Sequence, residues 1–101
     1  MKKRKLSLNV AKRNTESKNL RKAIEELTEL SLELLQRLNK PHKNNDKNIV
    51  KEIADVKIRL YWLEDKFDKN KVDKAMENKL KLLNKNVNIR RRRNKKSVST
   101  T

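Results

Sequence analysis

Five of the chain's thirteen acids fall at spacings that can do chemistry: Glu25-Glu26-x-x-Glu29 and Glu52-x-x-Asp55. Residues three or four apart on a helix are neighbours on one surface. Glu26 with Glu29, Glu25 with Glu29, and Glu52 with Asp55 therefore form tight acidic pairs. If the helices that carry them pack antiparallel, the pairs converge on one point. Four or five converging carboxylates repel one another unless a cation sits among them, and a hard divalent ion such as Mg²⁺ prefers that all-oxygen donor set.

Such pairs are also common as solvated surface acids, salt-bridged here to neighbours such as Arg21, Lys22 and Lys51. Two features favour convergence. Residues 23–36 hold four acids (Glu25, Glu26, Glu29, Glu33) and no base, in a chain where bases outnumber acids 29 to 13. Glu52 and Asp55 also fall in a narrow polar stripe between two apolar faces, which solubility alone does not require. One feature opposes it: Glu25, Glu26 and Glu29 lie opposite the main leucine stripe of their helix. In a lone monomer they are expected to face water, and they make a site only where another helix or subunit covers that side.

Three helical patterns must position these residues. The first spans about 17–38, with Leu20, Ile24, Leu27, Leu34 and Leu38 at heptad-like spacing and Ser17 as its N-cap. A polar loop containing Pro41 and His42 ends it. The second, about 49–67 and capped by Asn48, has two apolar faces at about 100° per residue. One is Ile49, Ile53, Val56, Leu60, Leu63 and Phe67; the other is Val50, Ala54, Ile58 and Tyr61, with Trp62 at its edge. A helix apolar on two sides must be covered on two sides. The third, about 72–84, carries Val72, Met76, Leu80 and Leu83, and the short connection Asp68-Lys69-Asn70 suits antiparallel neighbours. Residues 1–16 read as a basic arm or short helix, 17–86 as the helical domain, and 87–101, with Arg90–Arg93, as a basic disordered tail.

Composition narrows the class further. Gly is absent, there is one Pro and aromatics make up 3%, which excludes a turn-rich β fold. The chain is 34% apolar and 42% charged, against usual values of about 45–50% and about 25%. Burial within one copy struggles to offset conformational entropy at that composition, so homo-oligomerisation is expected to complete an all-α bundle of three to four helices. Without Cys, and with His42 alone, neither a thiolate nor a multi-histidine metal site is available. No apolar run approaches the ~20 residues of a membrane span and no signal-peptide h-region follows the basic N-terminus, so a cytoplasmic protein is expected. The net charge of +16 predicts attraction to polyanions.

Glu25-Glu26-Leu27-Thr28-Glu29, followed after a polar loop by Glu52-Ile53-Ala54-Asp55-Val56, resembles the EExxE…ExxD signature of the all-α nucleoside triphosphate pyrophosphohydrolases, MazG-like and phosphoribosyl-ATP pyrophosphohydrolase-like. The likeness covers about residues 20–83, including Lys79-Leu80 near the end of the third helix. It implies a dimer or tetramer holding Mg²⁺, with Mn²⁺ as a substitute, and hydrolysis between the α- and β-phosphates of a nucleoside triphosphate. Carried over by position, Glu26, Glu29, Glu52 and Asp55 would be the metal ligands. Glu25 would orient or help deprotonate the attacking water, and Lys79 would contact phosphate. Arg59 continues the Glu52/Asp55 stripe toward phosphate, whereas Lys66 reads better as a surface ion-pair partner. Trp62 can stack a nucleobase, although a helical aromatic beside apolar positions is more often core. Asn84 and Asn86 match the family's phosphate contacts only loosely, and Arg90–Arg93 match no family feature. The rival reading is a basic helical protein that grips nucleic acid non-specifically through its termini, or an inactive scaffold of the same fold tethered in that way.

Overall fold

A computed structural model of the protein describes residues 2–96. Among them are four α-helices and no strand: α1 (Lys3–Ala11), α2 (Glu16–Asn39), α3 (Asp46–Phe67) and α4 (Lys69–Lys96). The expected all-α class holds. The chain divides into two compact units, Met1–Lys66 and Phe67–Thr101.

In the first unit the basic arm is a true helix. The buried residues of α1 are small, Ser7 and Ala11, so its backbone approaches its neighbours closely. Asn19 of α2 is itself buried and donates from Nδ2 to the Ala11 carbonyl at 2.9 Å, satisfying one of the acceptors left open at the end of α1. The N-cap of α2 is Thr15 rather than Ser17: its backbone is extended and its Oγ1 accepts from the Lys18 N–H at 3.2 Å. The start of α3 also falls earlier than Asn48. Asn44 Oδ1 accepts from the Asp46 N–H at 3.0 Å, and the cluster of capping residues before Asn48 starts the helix first.

Three contacts set the α2–α3 register. Lys66 pairs with Glu16 at 3.3 Å, Arg37 pairs with Asp46, and Asn45 Nδ2 donates to the Glu33 carbonyl at 2.9 Å. The start of α2 thus lies at the end of α3 and the reverse, an antiparallel hairpin. Its seam holds Asn19, Ala23, Glu52 and Val56, all buried. The leucine stripe of α2 faces the other way, with Ile24 63% and Leu38 73% exposed and Leu27 and Leu34 also exposed. The expectation that the acids of α2 face water in one copy holds for Glu25, which is exposed, and is reversed for Glu26 and Glu29, which are half-buried. α3 covers that side with its own polar stripe, and the leucines are left outside.

Among its described residues, the second unit consists of α4 preceded by Phe67 and Asp68. One residue, Asp68, separates α3 from α4, and it takes a positive φ of 83°, unusual for a residue with a Cβ. Its Oδ1 accepts from the N–H groups of Asn70 (3.0 Å) and Lys71 (3.4 Å), so the same side chain caps α4. Asp73 pairs with Lys69 at 2.7 Å and Glu77 with Lys81 at 3.4 Å, each one turn apart. The helix runs well past the expected end at residue 84. The stretch 87–96, read from sequence as the start of a disordered tail, continues α4, while 97–101 lie outside the described residues. No Gly or Pro follows Pro41 to stop it, and Lys and Arg are good helix formers. No helix is long and apolar enough to cross a membrane among the described residues.

Candidate metal centre

The hairpin register brings Glu26 of α2 against Glu52 and Asp55 of α3. One carboxylate oxygen from each lies within 4.8 Å of the others. Small or slender seam residues, Ala23 below and Val56 beside, allow the helices to approach closely enough for this. Glu52 is the deepest of the three at 8% exposure, and Glu26 and Asp55 are half-buried.

The electrostatics show a site short of positive charge. Oε2 of Glu26 and Oε2 of Glu52 are buried without any hydrogen-bond partner. Removing a carboxylate oxygen from water without a partner is costly. Burial, and then the charges of Asp55 and Glu52, raise the Glu26 carboxyl above the ordinary glutamate range, while Arg59 partly opposes the shift. Glu29 is raised too, first by burial and then by Glu26 and Glu52, with a hydrogen bond to Glu52 adding to the effect. The Lys51 ammonium lies 3.3 Å from Glu52 Oε1 and 3.7 Å from Asp55 Oδ2, and this bonding raises its pKa. Four carboxylates (Glu26, Glu29, Glu52, Asp55) thus face two cations, Lys51 and Arg59, leaving two negative charges uncompensated when all are ionised. A hard divalent cation matches both that deficit and the orphaned oxygens, so the residues fit the group they are expected to hold.

The other sequence candidates are placed differently. Glu25, next to Glu26 in sequence, is on the exposed side of α2, ion-paired with Lys22 one turn away at 3.4 Å. Arg59 is half-buried and close enough for its charge to act on Glu26. Trp62 lines a cleft of about 220 Å³ between the α1–α2 turn and α3, with Leu8, Asn19 and Lys66; none of the four carboxylates borders it. Lys79 belongs to the second unit, where it borders a shallow hollow with Ala75, Met76 and Leu80. Lys66 pairs with Glu16, as a surface residue. His42, Asn84 and Asn86 are exposed.

Sequence reasoning missed Asn45. It is buried, and its Nδ2 bridges the Glu33 carbonyl (2.9 Å) and Glu33 Oε2 (2.8 Å), which ties the loop before α3 to the acidic face of α2. An Asn at a helix start signals a local cap, so nothing in its position marked a link twelve residues back. The link also means that Glu33, an acid outside the motif, is not a bystander.

No protein family, curated protein or solved structure gives a significant match to the chain.

Proposed function

We propose that the protein is a Mg²⁺-dependent nucleoside triphosphate pyrophosphohydrolase that works in the cytoplasm, cleaving between the α- and β-phosphates to release a nucleoside monophosphate and pyrophosphate. The observation that carries this reading is the seam itself. A single chain turns Glu26, Glu29, Glu52 and Asp55 into the seam and Ile24, Leu27, Leu34 and Leu38 outward, the reverse of what burial favours, and two of the inward oxygens have no partner. That arrangement is reasonable if a cation normally occupies the inside.

Glu26, Glu52 and Asp55 would hold the ion, with Glu29 beside them completing the set. Bound there, it would polarise phosphate oxygens and neutralise charge developing at phosphorus. The chain's own residues supply the rest. Water attacks the α-phosphorus, the bond to the bridging oxygen breaks, and pyrophosphate leaves with that oxygen. Glu25 orients the water and takes its proton. Arg59, whose charge already acts on Glu26, contacts phosphate. The exposed Ile24, Leu27, Leu34 and Leu38 support assembly into a homodimer or tetramer, since a continuous apolar stripe of this kind marks an interface.

The test is a screen of ribo- and deoxyribonucleoside triphosphates for pyrophosphate release with Mg²⁺ or Mn²⁺. Wild type is expected to hydrolyse at least one of them. Glu52→Gln, which keeps the side-chain shape but removes a ligand charge, is expected to lower the rate by about 10²-fold or more. Release of inorganic phosphate, or no hydrolysis at all, overturns the reading. Sedimentation at about micromolar concentration is expected to show a dimer or larger, and a folded monomer would remove the basis for assembly.

A further inference from the structure

The far end of α4 has a different chemistry from the seam. After Glu77 the chain contains no acid, and residues 85–96 carry seven bases: Lys85, Arg90, Arg91, Arg92, Arg93, Lys95 and Lys96. These residues are not a tail appended to a helix. They are helix, continuous with α4 from Lys69. At a rise of about 1.5 Å per residue, the twelve occupy about 18 Å and present about one positive charge per 2.6 Å. Seven of these twelve residues are basic and none is acidic.

We propose that the end of α4 is a binding surface for double-stranded DNA. B-form DNA carries about one negative charge per 1.7 Å of axis, and its major groove, about 12 Å wide, admits an α-helix. The major groove of A-form RNA is too narrow for this. Single strands are bound on aromatic stacking platforms, and α4 contains no aromatic residue. A helix lying on a membrane needs an apolar face alongside its bases; in α4 the apolar positions Val72, Met76, Leu80 and Leu83 come before the basic stretch, and 84–96 adds only Val87 and Ile89. Duplex DNA is the polyanion whose charge density and groove width suit a basic helix. The inference is independent of the carboxylate chemistry and is read by equilibrium binding alone.

The experiment uses the full chain and a fluorescein-labelled mixed-sequence duplex of about 25 base pairs, with anisotropy titrations across a salt series. Replacing Arg90, Arg91, Arg92 and Arg93 together by Gln keeps helix propensity. It is expected to weaken binding by about 10²-fold or more and to make the slope of log K against log salt shallower by about three to four. Asn88→Pro keeps every charge but interrupts the helix ahead of the arginines, and is expected to weaken binding about tenfold. Unlabelled duplex DNA should displace the probe better than single-stranded DNA, duplex RNA or phosphatidylserine vesicles. Affinity within twofold of wild type for the four-arginine variant overturns the proposal. So does an unchanged Asn88→Pro, which would reduce the effect to charge alone, and so does any competitor that matches duplex DNA.

Discussion

The α2–α3 seam and the end of α4 treat like charges in opposite ways. In the seam, Glu26, Glu52 and Asp55 converge with Glu29 close enough to feel their charge, two of the oxygens lack partners, and Lys51 and Arg59 compensate only half of the charge. Along α4, bases accumulate on one helix, and its two acids, Asp73 and Glu77, are each paired one turn away. Like charges spread along a solvated rod are cheap and screened by salt. Like charges converging in a half-buried seam are expensive and persist only if something relieves them. The difference points to the seam as a place of chemistry and to the rod as a place of attachment.

The largest expected effect follows from relieving the seam. Mg²⁺ or Mn²⁺ at about 100 times its dissociation constant adds about 2.7 kcal/mol to the native state. For a domain of this size that is about 10 °C or more in Tm. Glu52→Gln should abolish the shift and, by removing repulsion, raise the Tm of the metal-free protein. Glu77→Gln, in the second unit, should leave the shift intact. Calorimetry or thermal circular dichroism reads all three, and a wild-type protein indifferent to millimolar Mg²⁺ and Mn²⁺ would make the seam no different in kind from the rod.

A smaller effect is expected at the strut that holds the seam's far end. Asn45→Ala removes both hydrogen bonds to Glu33 and should cost about 1–3 kcal/mol, measurable as a lower urea midpoint. If the midpoint does not move, the loop is not tied to α2 and the hairpin register rests on ion pairs alone.

The smallest is a pH dependence confined to the seam. Glu26 and Glu29 are raised in the folded protein, so each contributes stability that is fully present below the ordinary glutamate value of about 4.3 and lost as pH rises through the raised value. Relative to Glu26→Gln, metal-free wild type should therefore gain a few degrees of Tm between neutral pH and about pH 4.5. The Mg²⁺-dependent gain should shrink over the same window, since protons and the cation compete for the same oxygens. Parallel pH profiles for the two proteins would mean that Glu26 is not under the strain its surroundings imply.

How much of this was legible in the sequence differs from helix to helix. The acid spacings on α2 and α3 were enough to bring Glu26, Glu52 and Asp55 together, because helical periodicity and an antiparallel hairpin leave few other arrangements. The direction of α2 was not legible. A stripe of Ile24, Leu27, Leu34 and Leu38 says only that one face wants cover, and the usual inference puts that face against the nearest helix. Here α3 takes the acidic side instead, since its own Glu52/Asp55 stripe lies between two apolar faces. Small residues hid α1: Ser7 and Ala11 bury by close approach and leave no strong apolar period to read. The length of α4 was hidden by charge, because a run of arginines resembles a disordered tail until one notices that nothing in it breaks a helix.

Asp68 bears on how freely this sequence can drift. In a chain without glycine, the turn between α3 and α4 asks a residue with a Cβ to adopt a positive φ and to cap the next helix with the same side chain. Gly would ease the backbone and lose the cap; Asn would keep both, since it tolerates that conformation and offers the same acceptor. Ala would keep neither, and Val or Ile would add a steric clash. Among descendants of this sequence, position 68 should therefore wander among Asp, Asn and Gly and remain closed to branched side chains, a narrow allele spectrum.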